Sequence, residues 1–180
     1  MMYKQSGFTL IELLVSTIVL SVGLLGLAQL EIFSMRHSHD AYFRTQATYL
    51  AQDIADRIRA NPRGANEYDS IFRNQEENRV TGCRNTNGCE PKEMAQNDAW
   101  EWRFNIIDIL GPSAQGIVCR DPTPHDGTRA AAHGCLNGAD EDTPYAIKIW
   151  WYEDRSREWD DNIEQCGSPT SRCFVTSFQP

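Results

Sequence analysis

Hydrophobic positions follow three different patterns along this chain. From Phe8 to Leu30 they are almost continuous, and Glu12 is the only ionisable residue. From Phe43 onward they become periodic. Phe43, Ala47, Leu50, Ile54 and Ile58 recur at steps of three and four, the spacing of one helix face, while Arg44, Gln52, Asp53, Asp56 and Arg57 fill much of the remainder. No proline precedes Pro62, and Asn61-Pro62 is a helix stop. The two patterns together predict one helix from about Phe8 to Ala60, roughly 80 Å long at about 1.5 Å per residue. A helix of that length needs packing partners: lipid for its apolar half, and a globular domain for the Phe43–Ile58 stripe. Beyond Pro62 the pattern is mixed. Residues Arg63–Cys89 are polar and read as a loop. Pro91 sits where helices begin, Ala95, Ala99, Trp102, Ile106 and Ile109 follow at helical spacing, and Gly111-Pro112 ends the element. Strand-like text begins at Gly116–Cys119, a loop covers Asp121–Thr143, Tyr145–Tyr152 alternates as a strand, and Cys173–Phe178 reads as the last one. The expected fold is α+β: a long N-terminal helix packed on a small antiparallel sheet, with no internal repeat.

The apolar run carries the first functional signal. About 20 apolar residues suffice to cross a bilayer. A carboxylate costs roughly 2.5–3.5 kcal/mol at the membrane centre and less near its edge, so Glu12 reads as a site awaiting a partner. The run is preceded by a polar leader, Met1–Gly7. A secretory signal has a charged start, an apolar stretch of roughly 7–15 residues and then a small-residue cleavage site. Here the order is reversed, and a cut between Gly7 and Phe8 leaves the apolar segment on the mature chain. An ordinary signal anchor that happens to hold a glutamate is the alternative. Gly23 and Gly26 each cost about 1 kcal/mol in helix propensity; close helix packing and the general frequency of glycine in membrane helices both account for them.

Gly7-Phe8-Thr9-Leu10-Ile11-Glu12 resembles the class III signal of type IV prepilins. The resemblance implies that a membrane prepilin peptidase cuts after Gly7 and methylates the new amino terminus at Phe8, and that Glu12 is the assembly residue. It also implies a boundary set: leader 1–7, membrane and filament-core helix 8–34, amphipathic helix 35–60, globular domain 61–180. Asp53–Pro62, Glu93–Ala95 through Trp100–Trp102, Gln115–Cys119, Ile147–Trp151 and Phe174–Phe178 are similar to the corresponding segments of minor pilins of the PilV type, the pilus modification proteins. The expected role is therefore that of a minor pilin, incorporated into a type IV pilus or its priming tip complex and supporting assembly, motility and adhesion. Its expected partners are other minor and major pilins, the prepilin peptidase and, before assembly, the inner membrane, with the domain periplasmic. A minor pseudopilin of a type II secretion system shares the same leader and helix, and a tip-located adhesin or DNA-binding module is a reading of a different class. An ammonium at Phe8 and the carboxylate of Glu12 attract strongly in low dielectric. The pair forms either between neighbouring subunits, the arrangement the family implies, or within one helix, where residues four apart are neighbours.

Composition narrows the rest. The chain has 180 residues, room for one domain beyond the helix, and a net charge of −8. After Asn61 acidic side chains outnumber basic ones 20 to 12, which disfavours non-specific nucleic-acid binding; no nucleic-acid partner is expected. All six cysteines (Cys83, Cys89, Cys119, Cys135, Cys166 and Cys173) follow the membrane segment, and an even count in an exported domain points to disulfides. Six cysteines allow about 15 pairings. The shortest loops are Cys83–Cys89 and Cys166–Cys173, leaving Cys119–Cys135, and this un-nested pattern is the expected one. The spacings are not those of a zinc site. His37 and His39, two apart on a helix, do not face each other. The acid clusters Asp140–Asp142 and Asp160–Asn162 lack calcium-loop spacing. Among the five tryptophans, Trp102 and Trp151 read as core; Trp150 and Tyr152 share the other strand face, which leaves room for a subunit or ligand contact, although most such aromatics in a small α+β domain are core. No nucleophile–base pair, phosphate loop or metal-water motif is visible, so neither an enzyme nor a cofactor is expected.

Overall fold

Helix α1 spans Leu10–Ala60 without interruption, as the absence of proline and the two apolar patterns require. It belongs to a computed structural model that describes residues 7, 9–74, 78–85, 88–127, 133–135, 140, 142–152 and 171–180. The chain forms two units, Met1–Tyr42 and Phe43–Pro180. In the first unit α1 buries nothing of its apolar segment: Leu13, Leu24 and Phe33 are 63%, 58% and 61% exposed. This is the one helix among the described residues long and apolar enough to cross a membrane. In the second unit Phe43, Ala47, Leu50, Ala51, Ile54, Ala55 and Ile58 are buried in the domain core, the stripe that the periodicity marks.

The second unit continues with α2 (Ala65–Asn74), a 3-10 turn at Thr81–Arg84, α3 (Pro91–Leu110) and three strands, β1 (Gln115–Arg120), β2 (Tyr145–Tyr152) and β3 (Ser171–Phe178). The two helical pieces correct the reading of Arg63–Cys89 as a loop. That segment is rich in polar groups because they are used in tertiary hydrogen bonds. The Tyr68 hydroxyl donates to Asp98 Oδ2 at 2.6 Å, Asp69 Oδ1 accepts the Arg120 backbone N–H at 2.7 Å, and Asn66 Oδ1 accepts from Arg120 Nη2 at 2.6 Å. A ten-residue helix is marginal alone; these contacts hold it. The end of α1 is tied down similarly. Asn61 donates from Nδ2 to the Pro91 carbonyl at 2.8 Å and accepts the Gly64 N–H at 3.2 Å. A Cβ at Gly64 would lie 2.6 Å from the Pro91 oxygen, so only glycine permits this approach.

Pro91 opens α3, with Glu90 and Glu93 forming a capping box; Gly111, at φ 113°, closes it. Its buried face is Ala95, Asn97, Ala99, Trp102, Ile106 and Leu110. Trp102 is fully buried, and its indole N–H donates to the Leu50 carbonyl of α1 at 2.7 Å. The three strands form one antiparallel sheet in the order β1-β2-β3, with Ile117 opposite Lys148 and Lys148 opposite Val175. As the central strand, β2 is buried along its whole length. Trp150 and Tyr152 are accordingly 4% and 3% exposed, so the face that the sequence left open to a subunit or ligand contact is closed. Alternation distinguishes two faces but does not say whether one of them is solvated.

Candidate functional site

The start of α1 is organised by Thr9 and Glu12. The Thr9 carbonyl accepts the N–H groups of Glu12 at 3.1 Å and Leu13 at 3.3 Å, which makes Thr9 the residue that caps the helix. Glu12 Oε2 reaches back to the Thr9 N–H at 3.5 Å and Oγ1 at 3.4 Å. These are long, weak hydrogen bonds, and the carboxylate is exposed. Thr9-x-x-Glu12 is the signature of a capping box, a signal present in the sequence that a reading of the segment as membrane span passes over. The carboxylate also sits favourably in the first turn, where unsatisfied N–H groups carry partial positive charge. Other polar side chains in the segment are handled within the helix: Ser16, Thr17 and Ser21 donate back to the carbonyls of Leu13, Leu14 and Ile18 at 2.8–2.9 Å. Glu12 alone brings a charge to this apolar surface. Gly7 is exposed and a Cβ there would meet nothing; Phe8 lies outside the described residues. Gly23 and Gly26 also have open space around them.

Two charge clusters organise the second unit. Arg57 donates to Asp53 and, across to α3, to Asp98 Oδ1 and Glu101 Oε2 at 3.0 Å each. Burial alone would lower its pKa, but the hydrogen bonds to Glu101, Asp53 and Asp98 outweigh burial and hold it above the usual value. Burial, and then its bond to Asp98, push the Tyr68 hydroxyl up as well. The second cluster surrounds Lys148 on β2. Lys148 and Asp121 are both fully buried, and Nζ donates to Asp121 Oδ2 at 2.6 Å, to the His133 carbonyl at 2.6 Å and to Asp126 Oδ1 at 3.4 Å. The Thr123 hydroxyl and then Lys148 hold Asp126 below the ordinary carboxylate range.

Cys83 is bonded to Cys89 and Cys119 to Cys135, with Cα separations of 4.7 and 6.0 Å. The third expected pair involves Cys166, which lies outside the described residues. Cys119, Asp121 and Cys135 are close enough to share a metal ion, but both sulfurs are consumed by the disulfide and Asp121 is held by Lys148, which leaves no ligand set. His37 packs edge-on against Phe33 at 4.3 Å. Asp140 and Asp142 are exposed; Glu141 and Asp160–Asn162 lie outside the described residues.

Two family models match the chain. The prokaryotic N-terminal methylation motif covers residues 2–28, and the type IV pilin Tt1218-like family covers residues 29–100. No curated protein and no solved structure matches. The two matches meet between residues 28 and 29, and together they make this chain type IV pilin-like.

Proposed function

We propose that this type IV pilin-like chain is a minor pilin of the PilV type, cut between Gly7 and Phe8, methylated on the Phe8 amine and incorporated into a type IV pilus or its priming tip complex. The N-methylation motif and the exposed apolar helix fit a membrane-anchored pilin. The domain stands on the periplasmic side before assembly and on the pilus afterwards. The observation that carries the assembly mechanism is the exposed Glu12 carboxylate, held among the described residues by long bonds to Thr9 within an apolar helix surface. In the filament core this carboxylate pairs with the Phe8 ammonium of a neighbouring subunit. Each charge alone is costly in low dielectric, and docking neutralises both. The Thr9 contacts hold the carboxylate near the helix start until that partner arrives.

The test is incorporation. Glu12→Ala makes the segment more hydrophobic, so membrane insertion is expected to be at least as good as in the wild type. The variant is expected to accumulate in the inner membrane, to be missing from sheared pili, and to lower pilus number. Glu12→Gln keeps an acceptor for Thr9 but cannot neutralise an ammonium, and is expected to behave like the alanine variant. Wild-type incorporation of both variants would refute the pairing.

A further inference from the structure

Pilus assembly makes no use of the buried Lys148 ammonium. An ammonium has three N–H donors, and Lys148 finds three acceptors, Asp121 Oδ2, the His133 carbonyl and, more distantly, Asp126 Oδ1. All three lie between Cys119 and Cys135. Asp121 follows the first cysteine by two residues and His133 precedes the second by two. The disulfide therefore closes the ring of chain that supplies every oxygen this cation holds among the described residues. The arms of the loop approach closely. A Cβ at Gly134, where φ is +73°, would lie 2.9 Å from the Asp126 carboxyl carbon, and one at Gly127 would lie 2.7 Å from the His133 carbonyl carbon. Asp121 is pinned further, its Oδ1 accepting the Thr123 N–H at 2.9 Å and its own N–H donating to the Pro144 carbonyl at 3.0 Å.

A lysine ammonium in the middle of a central strand is tolerable only while its oxygens are present; without them the buried charge is strongly destabilising. We propose that the Cys119–Cys135 disulfide is a redox latch on Lys148: oxidised, it holds the oxygen ring over the cation, and reduced, it lets the loop leave and Lys148 reach water. Closing the latch converts two thiols into one disulfide and passes two electrons and two protons to a disulfide oxidant, which becomes a dithiol; a dithiol reductant reverses it. Completion of the domain is thereby tied to an oxidising compartment. This consequence rests on the reading that the domain is exported, whereas the latch itself is tested on the isolated chain.

The chain has three lysines, Lys4, Lys92 and Lys148. The Lys92 side chain is 59% exposed and serves as an internal reference. The full-length protein in detergent micelles is pulsed with an amine-acylating ester, and labelling at each lysine is quantified by peptide mass spectrometry. With the disulfides intact, Lys148 should label about 100-fold or more slowly than Lys92, because labelling requires local opening. In Cys119→Ser/Cys135→Ser, with Cys83–Cys89 retained, Lys148 should rise to within about 10-fold of Lys92 while amide exchange in α3 stays slow. Continued protection of Lys148 in that variant, or fast labelling in the oxidised wild type, overturns the proposal. If the serine variant does not fold, Lys148→Met is added to it. Recovery of the fold once the charge is removed supports the latch, and failure of both chains to fold overturns it.

Discussion

Trp102→Phe tests how α3 is attached to α1. Trp102 is fully buried, its indole N–H donates to the Leu50 carbonyl at 2.7 Å, and its six-membered ring lies over Gly116, where a Cβ would sit 2.6 Å from Cη2. Phenylalanine keeps an aromatic ring but removes the donor and shortens the side chain. The lost hydrogen bond is worth about 0.5–1.5 kcal/mol. Leu50 lies inside α1, so its carbonyl keeps a helical partner and is not orphaned. The lost volume falls between the Ile→Val cost of about 0.5–1.5 kcal/mol and the Trp→Ala cost of about 3–5 kcal/mol. The total expected loss is about 2–3 kcal/mol, equivalent to a fall in Tm on the order of 5–15 °C for a domain of this size. Thermal or urea unfolding of the detergent-solubilised chain, followed by near-ultraviolet circular dichroism, measures it. The geometry also makes a sharper demand. Gly116→Ala drives a methyl against Ile106 Cδ1 and into the Trp102 ring in the wild type and should destabilise it, but in the Trp102→Phe background the ring has withdrawn and only the end of the Ile106 side chain has to give. The two substitutions should therefore be non-additive by about 1 kcal/mol or more, as contacting sites are. An equal cost of Gly116→Ala in both backgrounds, or a Trp102→Phe cost below about 0.5 kcal/mol, refutes this packing argument.

Gly7→Val should leave the precursor uncut, because a side chain beside the scissile bond obstructs the peptidase; normal-length mature protein from that variant removes the cleavage assignment. Tyr68 has a folded-state pKa raised above its unfolded value, so its contribution is fully present below about pH 10 and is lost as pH rises from there toward the folded value. Tyr68→Phe should accordingly flatten the fall in unfolding midpoint above about pH 10, and an unchanged alkaline profile counts against the buried Tyr68–Asp98 bond. Mass spectrometry of the unreduced protein exported to the periplasm should find no free thiols among its cysteines. A disulfide closing a loop of about 15 residues contributes roughly 3 kcal/mol, so reduction should lower the unfolding midpoint measurably; six free thiols would contradict the disulfide framework.

Local pattern determined much of this protein from the sequence alone. Continuous apolarity to Leu30, helical periodicity to Ile58 and the Asn61-Pro62 stop define α1, because hydrophobic spacing and proline act within a few residues of themselves. Pro91 and Gly111 bound α3 for the same reason, and the leader motif with its single glutamate points to the pilin family by residue order alone. What tertiary structure decided involves partners distant in sequence. Helix α2 exists because Tyr68 meets Asp98 and Asn66 meets Arg120, contacts about 30 and 54 residues away that no local window contains. Trp150 and Tyr152 are buried because β2 is the central strand, a consequence of strand order that alternation does not encode. Nothing local in the sequence of β2 marks Lys148 as buried. Only the fold shows it sealed beneath Asp121 and His133, because a buried cation is defined by the oxygens around it, and these are brought there by a loop closed through Cys119 and Cys135.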